Sequence, residues 1–102
     1  MCGICGVIDL QHSGRIDPAL LRAMTARIAH RGPDGDGFYA SPDGRAHFGM
    51  RRLSIIDVAG SDQPLYNEDR SIALVFNGEI YNYHELRAEL AARGHQLCTA
   101  GD

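Results

Sequence analysis

The residues best suited to chemistry stand at the start of the chain, where Cys2 follows the first methionine in the segment MCGICGV. Because a small second residue permits removal of the methionine, Cys2 would become the first residue, with a thiol and a free α-amine on one α-carbon. An α-amine is basic enough near neutral pH to accept the proton of an attacking thiol, as in N-terminal threonine nucleophiles. This arrangement predicts a nucleophile that needs no separate histidine.

A second pair of residues that could take part in catalysis is Asn77-Gly78, which follows the apolar segment SIALVF at 71–76. A buried strand that ends in this turn would aim a side-chain amide and a backbone N–H at one point. Those are the two donors that an oxyanion hole needs. Taken alone, the dipeptide indicates an ordinary hairpin turn.

The cysteines at positions 2, 5 and 98 also raise a metal or redox alternative, since Cys2 and Cys5 form a C-x-x-C pair. Zinc would need two more ligands, from Cys98 and one of five scattered histidines, and none stands at tight ligand spacing. A thioredoxin-type pair opens a helix, whereas this pair precedes β-like sequence. We therefore predict no metal site, no disulfide framework, and a small buried apolar role for Cys5.

Composition narrows the class of protein. The 102 residues are 44% apolar and 23% charged, as is typical of one globular domain. Lysine is absent, which excludes a P-loop or Schiff-base lysine, and the ten arginines form no basic stripe for nucleic acid. No apolar run approaches the roughly 20 residues of a membrane span, and the N-terminus lacks a secretory signal. We expect a cytoplasmic protein with no nucleic-acid or membrane partner.

The elements that must position these groups alternate between strands and two helices. Asp17 is expected to cap the first helix, with Pro18 at its first position, and Leu20, Leu21, Met24 and Ile28 at helical spacing predict a helix over 18–29. The remaining predictions are strands at 3–10, 38–40, 46–50, 52–58, 71–76 and 96–99, a loop at 30–37 and turns at 41–44 and 59–64.

The second helix is expected to begin at an Asn82 cap, with Glu85 completing a capping-box pattern, and to end at Gly94. Leu86 and Leu90 would form its apolar stripe. Because the strands between the two helices look hairpin-linked, an α+β fold with antiparallel sheets is predicted rather than a parallel fold.

Six segments together resemble one known family. They are MCGICGV, HRGPDGDG at 30–37, RRLSIIDV at 51–58, QPLYN at 63–67, FNGEIYNYHELRAEL at 76–90, and Thr99 to Asp102. The chain resembles the glutaminase domain of class II glutamine amidotransferases, a branch of the N-terminal-nucleophile hydrolases. Within that class it is most similar to the glutamine-hydrolysing asparagine synthetases.

This resemblance implies a role for each matched position. Cys2 corresponds to the nucleophile that attacks the side-chain amide of glutamine, and Asn77 with the backbone of Gly78 corresponds to the oxyanion hole. Arg52 corresponds to the arginine that grips the glutamine α-carboxylate, which suits a bidentate guanidinium. The groups near the substrate α-ammonium are Glu79 and Asp102. The strand that lines the same pocket is Leu53, Ser54, Ile55 and Ile56.

The resemblance also implies a longer protein. Residues 1–102 are expected to be the N-terminal part of a four-layer αββα sandwich with antiparallel sheets, cut short, with the ATP- and Mg²⁺-using synthetase domain absent. This segment itself is expected to bind no cofactor. L-glutamine and the missing C-terminal synthetase domain are the expected partners, and a homodimer of the full-length protein is compatible with the family. The open alternatives are an amidotransferase of another biosynthetic pathway and an inactive fragment or partner module.

Three positions depart from the usual family pattern. Cys5 stands where an aromatic or aliphatic residue is usual, Met50 where a histidine is common, and Gly101 where serine is frequent. None of these departures removes a residue matched to catalysis.

Overall fold

A three-stranded antiparallel sheet is the centre of the fold in a computed structural model that describes residues 1–14, 16–54 and 62–102. Its strands are β1 (Gly3–Ile8), β2 (Gly35–Ala40) and β3 (Ala46–Arg52), in the order β1-β3-β2. In the register of this sheet Gly3 lies opposite Arg51. Cys2 therefore leads directly into the sheet beside the last residues of β3.

The turn predicted at 41–44 joins β2 to β3 and is confirmed. The Ser41 hydroxyl donates to the Asp43 carboxylate at 2.6 Å, and the Arg45 backbone N–H donates to the same carboxylate at 3.1 Å. These hydrogen bonds, the one from Ser41 foremost, lower the pKa of the Asp43 carboxyl. Gly44 adopts a φ of +72°, a conformation that favours glycine.

Helix α1 (Pro18–Arg27) packs against one face of this sheet. As predicted, Asp17 caps it, because the Asp17 carboxylate accepts the backbone N–H of Ala19 at 2.9 Å. Thr25 is buried at the interface, where its hydroxyl lies 3.3 Å from the Cys5 sulfur. A Cβ on Gly49 of β3 would lie 2.2 Å from that hydroxyl oxygen, so glycine is required for this close approach.

A second, two-stranded sheet consists of β4 (Leu65–Tyr66) and β5 (Ala73–Leu74). It lies toward the face of the first sheet that α1 does not cover, since the rings of Tyr66 and Tyr39 are 6.4 Å apart. The prediction of a buried strand over 71–76 is wrong in extent and in burial. Only two of its residues pair, and Ile72 and Leu74 are 63% and 51% exposed because no described element covers them.

Helix α2 (Tyr83–Ala92) follows a turn at 81–82. Asn82 is its first cap residue as predicted, but its side chain accepts no capping hydrogen bond, so the capping box with Glu85 is wrong. The helix ends as predicted at Gly94, which has a φ of +89° and donates to Ala91 O while His95 donates to Leu90 O. With ten residues each, neither α1 nor α2 is long enough to cross a membrane, and no other described helix is either.

Two further expectations differ from the structure, and a third lies largely outside the described residues. The predicted loop at 30–37 contains a 3₁₀ turn (Ala29–Arg31) and the start of β2, because its glycines allow the chain to pair closely with β3. Residues 96–99 form no strand. Of the extended segment predicted over 52–58, Arg52 closes β3, and 55–58 lie outside the described residues, as do residues 59–61 of the predicted turn.

Candidate functional site

One cleft of about 360 Å³ collects most of the residues that the sequence singles out. It lies between the start of β1, the end of β3, the segment after β5 and the end of the described chain. The sequence-predicted residues that line it are Cys2, Arg52, Leu53, Asn77, Gly78, Glu79 and Asp102. Residues that are up to 100 positions apart in sequence are therefore brought to one place.

The Cys2 thiol is held at the end of β3. Its sulfur accepts a hydrogen bond from the Leu53 backbone N–H at 3.3 Å and lies 3.6 Å from the Leu53 carbonyl oxygen. The backbone carbonyl of Cys2 accepts the Arg31 Nε–H at 3.0 Å, so both its main chain and its side chain are fixed. Since Leu53 follows Arg52, the sulfur is anchored to the residue next to the predicted carboxylate-binding arginine.

Arg52 is a charged side chain in a nearly buried position, with 6% of its surface exposed. Its NH1 forms an ion pair with the exposed Asp62 carboxylate at 3.3 Å, and Arg52 also lines the cleft. Asp62 itself does not line the cleft. Burial of a guanidinium is costly unless it is paired, so the partners of Arg52 hold it in a defined orientation.

The segment 31–34 also holds the end of β3 in place. The Asp34 backbone N–H donates to Arg52 O at 3.0 Å, and the Asp34 carboxylate accepts the Ser54 N–H at 2.7 Å. A Cβ on Gly32 would lie 2.4 Å from the carbonyl carbon of Arg51, so only glycine fits there. Ser54 does not line the cleft, and its backbone is used for this bracing contact.

Asn77 and Gly78 lie in irregular chain after β5 and are exposed at the cleft. They do not form the hairpin turn that the dipeptide taken alone indicates, because the chain continues into the turn before α2 rather than into a strand. The Asn77 side chain makes no hydrogen bond to another described residue, so its amide can donate to a ligand. A Cβ on Gly78 would lie 2.6 Å from the Phe76 ring, which folds over this position.

The two acidic residues complete the cleft. Glu79 is exposed, and Asp102 is half-buried. The Asp102 carboxylate accepts the Ile80 backbone N–H at 2.8 Å, which ties the end of the described chain to the segment after Gly78. The cleft thus presents a guanidinium and two carboxylates, a charge pattern that complements the zwitterion of a free amino acid.

Three predicted residues remain, namely Ile55, Ile56 and Cys5. Ile55 and Ile56 are outside the described residues, so their predicted place in the pocket stays a prediction. Cys5 faces α1, whereas Cys2, three positions earlier along an extended chain, belongs to the opposite face. This separation contradicts a shared metal or redox role for the pair. Among the described residues no three His, Cys, Asp or Glu side chains form a group that could hold a metal ion.

Sequence reasoning missed three residues that hold the site together. Arg31 and Asp34 belong to the segment HRGPDGDG, and Gln63 belongs to QPLYN, both of which carry the family resemblance. Motif matching identified these segments without assigning them a task. Their hydrogen bonds to backbone groups become visible only once the chain is folded.

Comparisons with known proteins assign the chain to a family. A family model described as a glutamine amidotransferase domain matches residues 1–102. The chain belongs to the glutamine amidotransferase domain family. It is 46% identical over 104 residues to glutamine-hydrolyzing asparagine synthetase 1 of Bacillus subtilis (strain 168), with 100% of this chain and 16% of the relative covered.

Two other relatives of this amidotransferase domain have related names. Glutamine-hydrolyzing asparagine synthetase 1 of Arabidopsis thaliana is 39% identical over 102 residues, and synthetase 2 of Bacillus subtilis is 41% identical over 104. Each comparison covers 100% of this chain but only 17% and 13% of the respective relative. The chain therefore spans less than a fifth of the length of the curated relatives that it matches.

Proposed function

We propose that this amidotransferase domain hydrolyses L-glutamine and supplies ammonia for the ATP-dependent conversion of aspartate to asparagine. The observation that carries this proposal is the placement of the Cys2 thiol on Leu53, next to the buried Arg52, in a cleft that also contains Asn77 and Asp102. A nucleophile, a carboxylate receptor, an oxyanion donor and an ammonium receptor are the groups that hydrolysis of glutamine requires.

Recognition of glutamine follows from the charges in the cleft. Arg52 would bind the α-carboxylate through paired N–H donors, since a guanidinium matches the two oxygens of a carboxylate. Glu79 and Asp102 would bind the α-ammonium. With both ends of the amino acid held, the side-chain amide extends toward the Cys2 sulfur. Leu53 forms part of the wall along that path.

The chemistry proceeds through a thioester. The Cys2 sulfur attacks the δ-carbon of glutamine, and the carbonyl oxygen becomes an oxyanion that Asn77 Nδ2 and the Gly78 N–H stabilise. The carbon–nitrogen bond then breaks, and the amide nitrogen leaves as ammonia with the proton taken from the thiol. Water attacks the γ-glutamyl thioester, the carbon–sulfur bond breaks, and glutamate and the free thiol are released.

The proton carrier in this proposal is the α-amine of Cys2, which becomes free when Met1 is removed. Met1 lines the cleft and is 74% exposed, so it is accessible to an aminopeptidase. Its removal also clears space beside the sulfur. The intact mass of the purified protein tests this step, because retention of Met1 in active protein would contradict the assignment of the amine.

We propose further that residues 1–102 are the N-terminal part of a four-layer αββα sandwich of the N-terminal-nucleophile type. The packing of α1 on one face of the first sheet, with the second sheet toward the other face, supports this architecture. Tyr66 of the second sheet lies near Tyr39 of the first, and one groove is lined by Leu65 of β4 together with Leu86 and Leu90 of α2. The exposed Ile4 and Ile8 lie on the face of β1 opposite α1, where further sandwich residues would pack.

The rest of the protein would use the ammonia. The relatives are named asparagine synthetases, which favours aspartate as the acceptor over an acceptor of another pathway. ATP and Mg²⁺ belong in this proposal to a C-terminal synthetase domain and not to this chain. We propose the cytoplasm as its compartment because glutamine and ATP are available there, and a homodimer as the assembly of the full-length protein.

Three single substitutions in the full-length protein test the proposed glutaminase activity. Cys2→Ala should reduce glutamine hydrolysis by at least about 1,000-fold, since loss of a nucleophile removes the covalent route. Cys5→Ala and Cys98→Ala are the matched controls and should retain hydrolysis within about threefold. Glutamate release by the Cys2→Ala variant at the wild-type rate would refute the proposal.

A further inference from the structure

The side chain of Gln63 connects two parts of the cleft. Its Nε2 donates to the Phe76 carbonyl oxygen at 2.9 Å, and its Oε1 accepts the Phe76 backbone N–H at 2.6 Å. One side-chain amide thus satisfies both backbone polar groups of a single residue. Gln63 is half-buried and lines the same cleft as Cys2.

This pair of hydrogen bonds continues the second sheet beyond its last backbone rung. In the sheet Leu65 lies opposite Leu74, so the same antiparallel register places Gln63 opposite Phe76. The Gln63 backbone is used elsewhere, because its carbonyl oxygen packs on Gly37 of β2, where a Cβ would lie at 1.7 Å. The Gln63 side chain therefore takes the place of a strand backbone at this rung.

Phe76 immediately precedes the oxyanion donors. Beyond Leu74 the chain has no strand partner among the described residues, and Asn77 and Gly78 are exposed. An oxyanion hole stabilises a transition state only if its donors are held in place beforehand. We propose that Gln63 is a positioning residue that fixes the Asn77 amide and the Gly78 N–H through Phe76. This inference rests on the proposed glutaminase activity.

Replacement of Gln63 by leucine in the full-length protein tests the inference. Gln63→Leu keeps a side chain of similar bulk but removes both hydrogen bonds. Because the donors act mainly in the transition state, kcat for glutamine hydrolysis should fall about 10- to 100-fold while KM changes less than about threefold. Gln11→Leu, in an exposed turn, is the matched control and should leave both constants unchanged.

Alkylation of Cys2 by iodoacetamide separates positioning of the donors from damage to the nucleophile. This alkylation forms no oxyanion, so Gln63→Leu should react at the wild-type rate within about twofold. An unchanged kcat, or a fall in kcat that is matched by slower alkylation, would overturn the inference. The Phe76 amide hydrogen should also exchange slowly in the wild-type protein, and fast exchange there would equally contradict it.

A second variant decides the question if Gln63→Leu does not fold. In Gln63→Glu the new side chain has the same shape as glutamine. Its ionised carboxylate has no hydrogen to donate to the Phe76 carbonyl oxygen, whereas the protonated acid can donate and accept as the glutamine amide does. The ratio of its kcat to the wild-type kcat should therefore rise at least about threefold from pH 8 to pH 5.5. A ratio that does not change would refute the role of Gln63.

The outcomes also separate this inference from the function on which it rests. Wild-type hydrolysis of glutamine together with unimpaired Gln63 variants would remove the positioning role and leave the proposed function standing. If the wild-type protein itself releases no glutamate, the proposed function fails first and the role of Gln63 in it fails with it.

Discussion

Replacement of Gly37 by alanine tests how the first sheet supports the cleft. An alanine Cβ at this position in β2 would lie 1.7 Å from the Gln63 carbonyl oxygen and 2.7 Å from its carbonyl carbon. Real Cβ contacts essentially never fall below 3.0 Å, so the Gln63 backbone must move by at least about 1.3 Å. This backbone cannot rotate away as a flexible side chain would.

Both stability and activity are expected to fall. Overpacking of this kind costs typically about 1–3 kcal/mol of folding free energy. A displacement of about 1 Å in a residue that holds the oxyanion segment costs on the order of 100-fold in rate. Gly37→Ala should therefore reduce kcat/KM for glutamine about 100-fold, and a urea titration should report a loss of stability in that range.

Gly35 offers a matched control on the same strand. It lies two positions before Gly37, on the same face of β2, and no described atom lies within 4 Å of the point that an alanine Cβ would occupy there. Gly35→Ala should keep kcat/KM within about threefold and leave stability unchanged or raised by about 0.4–1 kcal/mol, because alanine restricts the unfolded chain. Equal kcat/KM values for the two variants would refute the role of the Gly37 contact.

The remaining predictions concern the charged groups. Arg52→Lys should raise KM for glutamine about 10- to 100-fold and change kcat less than about threefold, because lysine cannot bind a carboxylate in a bidentate manner. The control variant Arg51→Lys should leave KM unchanged in the same steady-state assay. Asp102→Asn should lower the ratio of kcat/KM for glutamine to kcat/KM for its α-N-acetyl derivative. The reason is that one of the two carboxylates proposed to bind the α-ammonium is lost. A preference equal to that of the wild type would contradict this assignment. Hydrogen bonds, the Ser13 backbone N–H foremost, lower the pKa of the exposed Asp9 carboxyl. The ionised Asp9 carboxyl therefore contributes fully to stability at pH values above the ordinary pKa of aspartate, and this contribution is lost as pH falls through its lowered pKa. The difference in free energy of unfolding between the wild type and Asp9→Asn should accordingly vanish in acid.

Most residues that line the cleft could be predicted from the sequence because the roles proposed for them depend on their own side chains. Cys2 and Arg52 stand in motifs whose residue types and order indicate the tasks that are proposed for them. The hairpin turn at 41–44 and the Asp17 cap could be predicted for a similar reason, since each depends on hydrogen bonds between residues close in sequence.

Features that depend on distant neighbours could not be predicted. The strand expected at 71–76 is reduced to Ala73–Leu74 because pairing stops where the Gln63 backbone turns toward Gly37. An apolar run cannot reveal that its next partner is a side-chain amide. For the same reason the sequence gives no sign that Asp34 supports Ser54, 20 positions later.

The central claim is that Cys2 forms a covalent γ-glutamyl intermediate. Mass spectrometry of the full-length protein, quenched in acid during glutamine turnover and digested, tests this most directly. The account predicts one glutamyl group in thioester linkage on the peptide that contains Cys2, located on Cys2 itself and absent in the Cys2→Ala variant. Turnover with no adduct on Cys2, or with the glutamyl group on Cys5 or Cys98, would contradict it.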